Sequence, residues 1–209
     1  MIKFSGSGKS TFANVVRNVT TDDPAYAPVC AGVQCTMAVQ SYVFADDFKH
    51  LIIWDVPGGG TDEHPGSTYF EDKCLDLFDS ILLFYDGRWG EIDSLILRKA
   101  SHYNILDRLA IVYSKTDLGV RNLMRENKRL KRWDAESKFR EDVEFAFRVK
   151  SFEVLGPKAS QIPLFFICAH SWEDQQQPRY DERHLLEFMF TLAAKRIPNE
   201  FGRALLNGL

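Results

Sequence analysis

The sequence lacks the features that would place it in several large classes. Its four cysteines, Cys30, Cys35, Cys74 and Cys168, are scattered and form no C-x-x-C pair. Neither a disulfide framework nor a cysteine-held metal is therefore expected. The five histidines share no ligand spacing, which removes the usual zinc motifs. No apolar run approaches the roughly 20 residues that a membrane-crossing helix needs, and no secretory leader is read ahead of the first motif. We expect a cytoplasmic protein without a transmembrane segment, peripheral membrane contact staying open. A formal net charge of −3 gives no footprint for nucleic acid. There is no internal repeat, low-complexity tract or linker. With 209 residues, 45% of them hydrophobic and 26% charged, the chain is expected to build one domain spanning 1–209.

What is present begins at once. Ser5-Gly6-Ser7-Gly8-Lys9-Ser10-Thr11 reads as a phosphate-binding loop. Glycines let several backbone N–H groups face one point, a lysine adds a cation there, and the Ser10 hydroxyl suits Mg²⁺. The full pattern, G-x-x-x-x-G-K-[ST], has a further glycine where this chain has Lys3, and only Met1 and Ile2 stand where an apolar strand would lead in. The chain thus reads as a nucleotide-binding domain cut close to its site, its first strand missing or incomplete.

Helices and strands are expected to alternate along the rest. A helix follows the loop to about Asn18, where its N-terminal dipole faces the anion. Residues 20–31 are rich in turn formers. Strands are expected at 36–44, 50–54, 80–85, 109–113 and 162–167, and helices at 68–78, 91–103, through much of 118–150, at 181–195 and near 200–206. Near-continuous apolar strands between helices predict an α/β fold, a three-layer, doubly wound, mostly parallel sheet. The basic cluster 128–132 reads as a solvated helix face, and Phe139, Phe145, Phe147 and Phe152 as core residues.

Four constellations fall where such a sheet places its ligands, beyond the C-terminal ends of strands. Gly6, Ser7, Gly8, Lys9, Ser10 and Thr11 form the first. Asp55 ends an apolar strand and is followed by Pro57 and Gly58; the carboxylate suits Mg²⁺ held through water, and the Gly58 N–H suits a γ-phosphate. Ser114-Lys115-Thr116-Asp117 follows another strand, where Asp117 can accept both donors of a guanine edge while the Lys115 stem lies along the base. Thr36, before a strand, offers a hydroxyl to Mg²⁺ and an N–H to the γ-phosphate. Each alone also reads blandly, as a surface turn, a capping carboxylate or a charged loop. Their order is that of regulatory GTPases.

Within that superfamily the chain resembles the immunity-related, or interferon-inducible, GTPases from Phe4 onward. Trp54-Asp55-Val56-Pro57-Gly58 is similar to the family's W-D-L-P-G, and Ser114-Lys115-Thr116-Asp117 to its T-K-x-D. Gly32 to Thr36 resembles the switch segment, with Cys35 in place of the first of two threonines. Thr68-Tyr69-Phe70 resembles the tyrosine-bearing segment that follows, and Cys168-Ala169-His170 stands where an S-A-K loop clamps the base, matching at Ala169. The resemblance implies a Ras-like G domain of the P-loop class that binds GTP and GDP with Mg²⁺ and pairs through its nucleotide face as a homodimer. In this light Lys9, Thr36 and Gly58 are the candidate catalytic groups. Gly6, Ser7, Gly8, Lys9, Ser10, Thr11, Lys115, Asp117 and Ala169 are the nucleotide contacts, and Ser10, Thr36 and Asp55 serve the metal. Gly59 stands where Ras-type enzymes carry the water-orienting glutamine, so intrinsic turnover is expected to be slow, with Arg88 or a partner's residue as possible help. A degenerate, non-hydrolysing interaction module and an ATP-dependent small-molecule kinase are the alternatives.

Overall fold

The computed structural model describes residues 1, 7–29, 38–59, 66–171 and 179–195. Helix α1 spans Lys9–Val16, and a hairpin follows, made of β1 (Gln40–Val43) and β2 (Ile52–Asp55). Then come α2 (Gly66–Asp72), β3 (Ile81–Tyr85), α3 (Glu91–His102), β4 (Leu109–Tyr113), α4 (Thr116–Glu126) and α5 (Arg132–Leu155). The last elements are β5 (Leu164–Phe166) and α6 (Glu182–Ala194).

β3 and β4 read ILLFY and LAIVY and are buried on both faces, as strands covered by helices must be. β3, β4 and β5 pair in parallel, Ile81 opposite Leu109 and Ile111 opposite Leu164. Successive side chains point to opposite faces and so feed two cores. Ile81, Leu83, Leu109 and Ile111 enter one with Tyr69 and Phe70 of α2, Ile92 and Ile96 of α3 and Phe147 of α5. Leu82, Phe84, Ala110 and Val112 enter the other with Phe12 of α1 and Leu185, Met189 and Phe190 of α6. Phe12 and Phe84 meet edge to face with centroids 5.6 Å apart. Burying one such ring contributes about 1.5–3 kcal/mol.

The expectation of one doubly wound sheet is met in part. Among the described residues the strands form two sheets, antiparallel β1–β2 and parallel β3–β4–β5, and β2 is not bonded to β3. Met1 lies on β2, its ammonium donating to Trp54 O at 2.8 Å and its carbonyl accepting from Val56 N at 3.2 Å. The result is a mixed helix–strand fold with a three-stranded parallel sheet, compatible with the phosphate-loop architecture expected from the motifs.

Local readings at 68–78, at 128–132 and along the aromatic set of α5 need correction. The helix expected at 68–78 stops at Asp72, because Cys74 takes a left-handed conformation at φ 49 and a 3₁₀ turn, Leu75–Leu77, follows. The helical stretch at 118–150 is two helices. Asn127 leaves helical geometry at ψ 89, and its Oδ1 accepts the Arg129 N–H at 3.2 Å, an Asx turn that competes with helix continuation. The basic cluster 128–132 is thus mostly an exposed connection between helices. Phe147 is fully buried, but Phe145 and Phe152 are 71% and 59% exposed on the opposite side of α5, so only part of that aromatic set packs a core.

Candidate functional site

The C-terminal ends of β2, β4 and β5 converge on the start of α1. Gly8 precedes that helix at φ 84, a left-handed conformation that strains any residue with a Cβ. It swings the chain straight into α1, whose first amides have no acceptor within the helix and lie at its positive end. Ser7 and Lys9 are buried, 1% and 6% exposed. Burial pushes the Lys9 ammonium pKa down, and the charge on Asp55 opposes that shift. Ser10 Oγ donates to Asp55 Oδ2 at 2.6 Å. Asp55, the last residue of β2, is only 1% exposed. A hydroxyl and a carboxylate brought this close form a hard-oxygen set that fits Mg²⁺, which takes one or two protein oxygens and keeps water or phosphate for the rest. Among the described residues no three His, Cys, Asp or Glu cluster as a metal cage.

The second wall comes from β4 and β5. Ser114 Oγ donates to Ser7 O at 2.7 Å, tying the strand end to the loop before α1. Lys115 sits at φ 59, left-handed, at the N-cap position of α4; a lysine held there is strained, as residues at working sites often are. Ile167 N donates to Tyr113 O at 2.9 Å and Thr116 N to Ile167 O at 3.1 Å, so segments 114–117 and 167–170 run side by side. Between them and α1 lies a cavity of about 70 Å³ lined by Gly8, Thr11, Lys115, Asp117, Ala169 and His170, among others. Asp117 is ion-paired with Arg121 one turn along α4.

One contributor carries no sequence signal. Glu182 of α6 is 6% exposed, and its Oε1 accepts the Cys168 N–H at 2.9 Å, fixing the loop that holds Ala169. In the sequence it is an ordinary acidic residue at a helix start.

The third wall is the loop after β2. Val56, Pro57, Gly58 and Gly59 are buried. Tyr69 of α2 donates its hydroxyl hydrogen to Pro57 O at 2.6 Å. A Cβ added to Gly59 would lie 2.7 Å from Tyr69 Cδ2. Arg88 pairs with Asp86 on an exposed turn after β3. Gly6, Cys35 and Thr36 lie outside the described residues, so this geometry does not place them. Ser7, Gly8, Lys9, Ser10, Thr11, Asp55, Gly58, Lys115, Asp117 and Ala169 all sit at this end of the strands.

A profile of the family described as Interferon-inducible GTPase (IIGP) matches residues 2–141. Rat "Interferon-inducible GTPase 5" is 30% identical over 103 residues, covering 47% of this chain and 22% of the rat protein. Mouse "Immunity-related GTPase family M protein 2" is 29% identical over 79 residues, 38% of this chain and 20% of the relative. Human "Immunity-related GTPase family M protein" is 30% identical over 114 residues, 54% of this chain and 60% of the relative. The chain thus spans only a minor part of the rat and mouse proteins. A motif series in family order, a loop, strand ends and cavity in one place, and a family profile over most of the chain lead to one conclusion: the chain belongs to the interferon-inducible GTPase family.

Proposed function

We propose that this chain binds guanine nucleotide with Mg²⁺ and hydrolyses GTP to GDP and phosphate, slowly by itself. The observation that carries the reading is the cavity shared by Gly8, Thr11, Lys115, Asp117 and Ala169, which joins the phosphate loop to the base-clamp residues. Gly6, Ser7 and Gly8 offer main-chain N–H groups to the phosphates, and the Lys9 ammonium bridges the β- and γ-phosphates. Ser10 is a metal ligand, as is Thr36, and Asp55 acts through a bound water. The metal supplies neutralisation of charge that builds on the phosphates. Lys115 covers the base and Asp117 accepts its two edge donors. Gly58 addresses the γ-phosphate. We place all of these in one G domain, 1–209, of a cytoplasmic protein that pairs with a second copy through the nucleotide face.

Gly59 brings no side chain to the attacking water, and the Tyr69 ring occupies the space that a side chain there would enter. This observation favours slow turnover and keeps a non-hydrolysing module as the second reading. Titrating labelled GTP and GDP with Mg²⁺ tests the first: saturable binding of both is expected, and its absence ends the proposal. Phosphate release separates hydrolysis from binding alone. Asp117→Asn is expected to move preference from guanine to xanthine, whose edge presents an acceptor where guanine has its amine. An unchanged preference would remove the base assignment.

A further inference from the structure

Pro57 O and Gly58 N–H belong to one peptide unit. That unit is planar and, like all the described peptide bonds, not cis, so its oxygen and hydrogen point in opposite directions and turn together. Whatever fixes the oxygen also aims the hydrogen. Tyr69 donates its hydroxyl hydrogen to that oxygen at 2.6 Å. The Tyr69 residue is 1% exposed, and its ring lies against Gly59. Burial pushes the phenol pKa up, which keeps the proton on the donor. The support behind it is firm: Phe70, next along α2, stacks on Tyr103 at 5.4 Å and 9°. By contrast Gly58 and Gly59 give the loop itself little resistance to turning.

We propose that Tyr69 is a positioning residue: its hydroxyl aims the Gly58 N–H at the terminal phosphate and so sets the preference for nucleoside triphosphate over diphosphate. The proposal deepens the guanine-nucleotide reading above and rests on it. Two effects act together. The bond from Tyr69 holds the peptide in one orientation, and by drawing charge toward Pro57 O it strengthens Gly58 N–H as a donor. A group can shift the balance between two ligands only through a contact made with one and not the other. The terminal phosphate is that difference.

The test is Tyr69→Phe, which keeps the ring and removes the hydroxyl. Affinities for a non-hydrolysable GTP analogue and for GDP are measured with Mg²⁺ on the same preparation. The analogue is expected to bind about fivefold to tenfold more weakly, roughly what one neutral hydrogen bond is worth, while GDP stays within about twofold. Gly59→Ala, which pushes the ring aside without touching the hydroxyl, is expected to move the ratio the same way. In the nucleotide-free chain, the Gly58 amide is expected to exchange faster in Tyr69→Phe. Equal weakening of both ligands, or a ratio unchanged in both variants, overturns the proposal, as does unchanged Gly58 exchange. If wild-type chain binds neither ligand, the guanine-nucleotide reading itself falls and takes this proposal with it.

Discussion

Ser114 Oγ and the main-chain oxygen of Ser7 are joined at 2.7 Å across 107 positions of sequence. The bond fastens the end of β4 to the turn that opens α1, and it is buried. Through it the two halves of the proposed pocket, phosphate side and base side, keep a fixed separation. Ser114→Ala is expected to weaken GDP binding about fivefold to twentyfold, from loss of a bond worth about 1–1.5 kcal/mol plus some spreading of the loops. Fluorescence titration with labelled GDP checks it, and a change below twofold would show that the tie does not matter for binding.

Ser10 Oγ and Asp55 Oδ2 are 2.6 Å apart, and the prediction that follows concerns metal rather than nucleotide. Ser10→Ala removes a hydroxyl and leaves the Asp55 charge that supports Lys9. Apparent Mg²⁺ affinity in the presence of GTP is expected to fall about 10–100-fold, the range for loss of a group that orders a metal site. Nucleotide binding measured in EDTA is expected to change little. An equal loss with and without Mg²⁺ would place Ser10 in the phosphate cradle instead.

How far the sequence foretold all this depends on the kind of signal. Runs such as Ile81–Tyr85 and Leu109–Tyr113 are apolar throughout, and a short apolar stretch bounded by turn formers leaves little choice but a buried strand. The loop around Gly8 and the segment after Tyr113 were legible because their residue types are tied to special backbone shapes or to ligand chemistry. Other features depended on tertiary facts. The Asx turn at Asn127 competes with helix through one side-chain bond, and nothing in the spacing of 118–150 weighs that competition. Phe145 and Phe147 differ by two positions on one helix, so periodicity alone could not say which face the sheet would cover. Tyr69 and Glu182 act through main-chain oxygens and amides of distant loops, contacts that residue identity does not encode.

Gly59 tempts an engineer to restore the glutamine of Ras-type enzymes. The structure argues against success. A Cβ at that position would lie 2.7 Å from Tyr69 Cδ2 and 2.9 Å from Cε2, and Tyr69 is held by its ring in the core and its hydroxyl on Pro57. Gly59→Gln is therefore expected to cost about 1–3 kcal/mol of stability, the usual scale of overpacking, without raising GTP hydrolysis. Urea unfolding and a phosphate-release assay read the two effects separately. A stable variant with faster release would mean that the loop after β2 adopts another path when nucleotide is bound.

The tyrosines also give the fold a limit at alkaline pH. Burial raises the Tyr69 phenol above its ordinary value, and burial with neighbouring Tyr113 and Asp93 pushes Tyr85 up to about 12. In the unfolded chain both ionise near pH 10. Above that point the unfolded state sheds protons that the folded state keeps, so stability falls as pH rises. Below it both states hold their protons and the advantage of the neutral, bonded phenol is fully present. Lys9 works in the opposite direction, since its folded pKa is lowered, so the total curve mixes signs and the informative quantity is a difference between variants. At pH 8 wild type is expected to exceed Tyr69→Phe by about 1 kcal/mol, the worth of the bond to Pro57 O. Between pH 10 and 11 that margin is expected to vanish and then reverse, because ionisation of an unfolded tyrosine costs the wild type up to about 1.4 kcal/mol per pH unit and cannot touch phenylalanine. Denaturant unfolding of both proteins at pH 8, 10 and 11 measures it. A margin that stays constant across this range would mean that the Tyr69 hydroxyl ionises in the fold as readily as in water, and hence that it is not held as a buried donor.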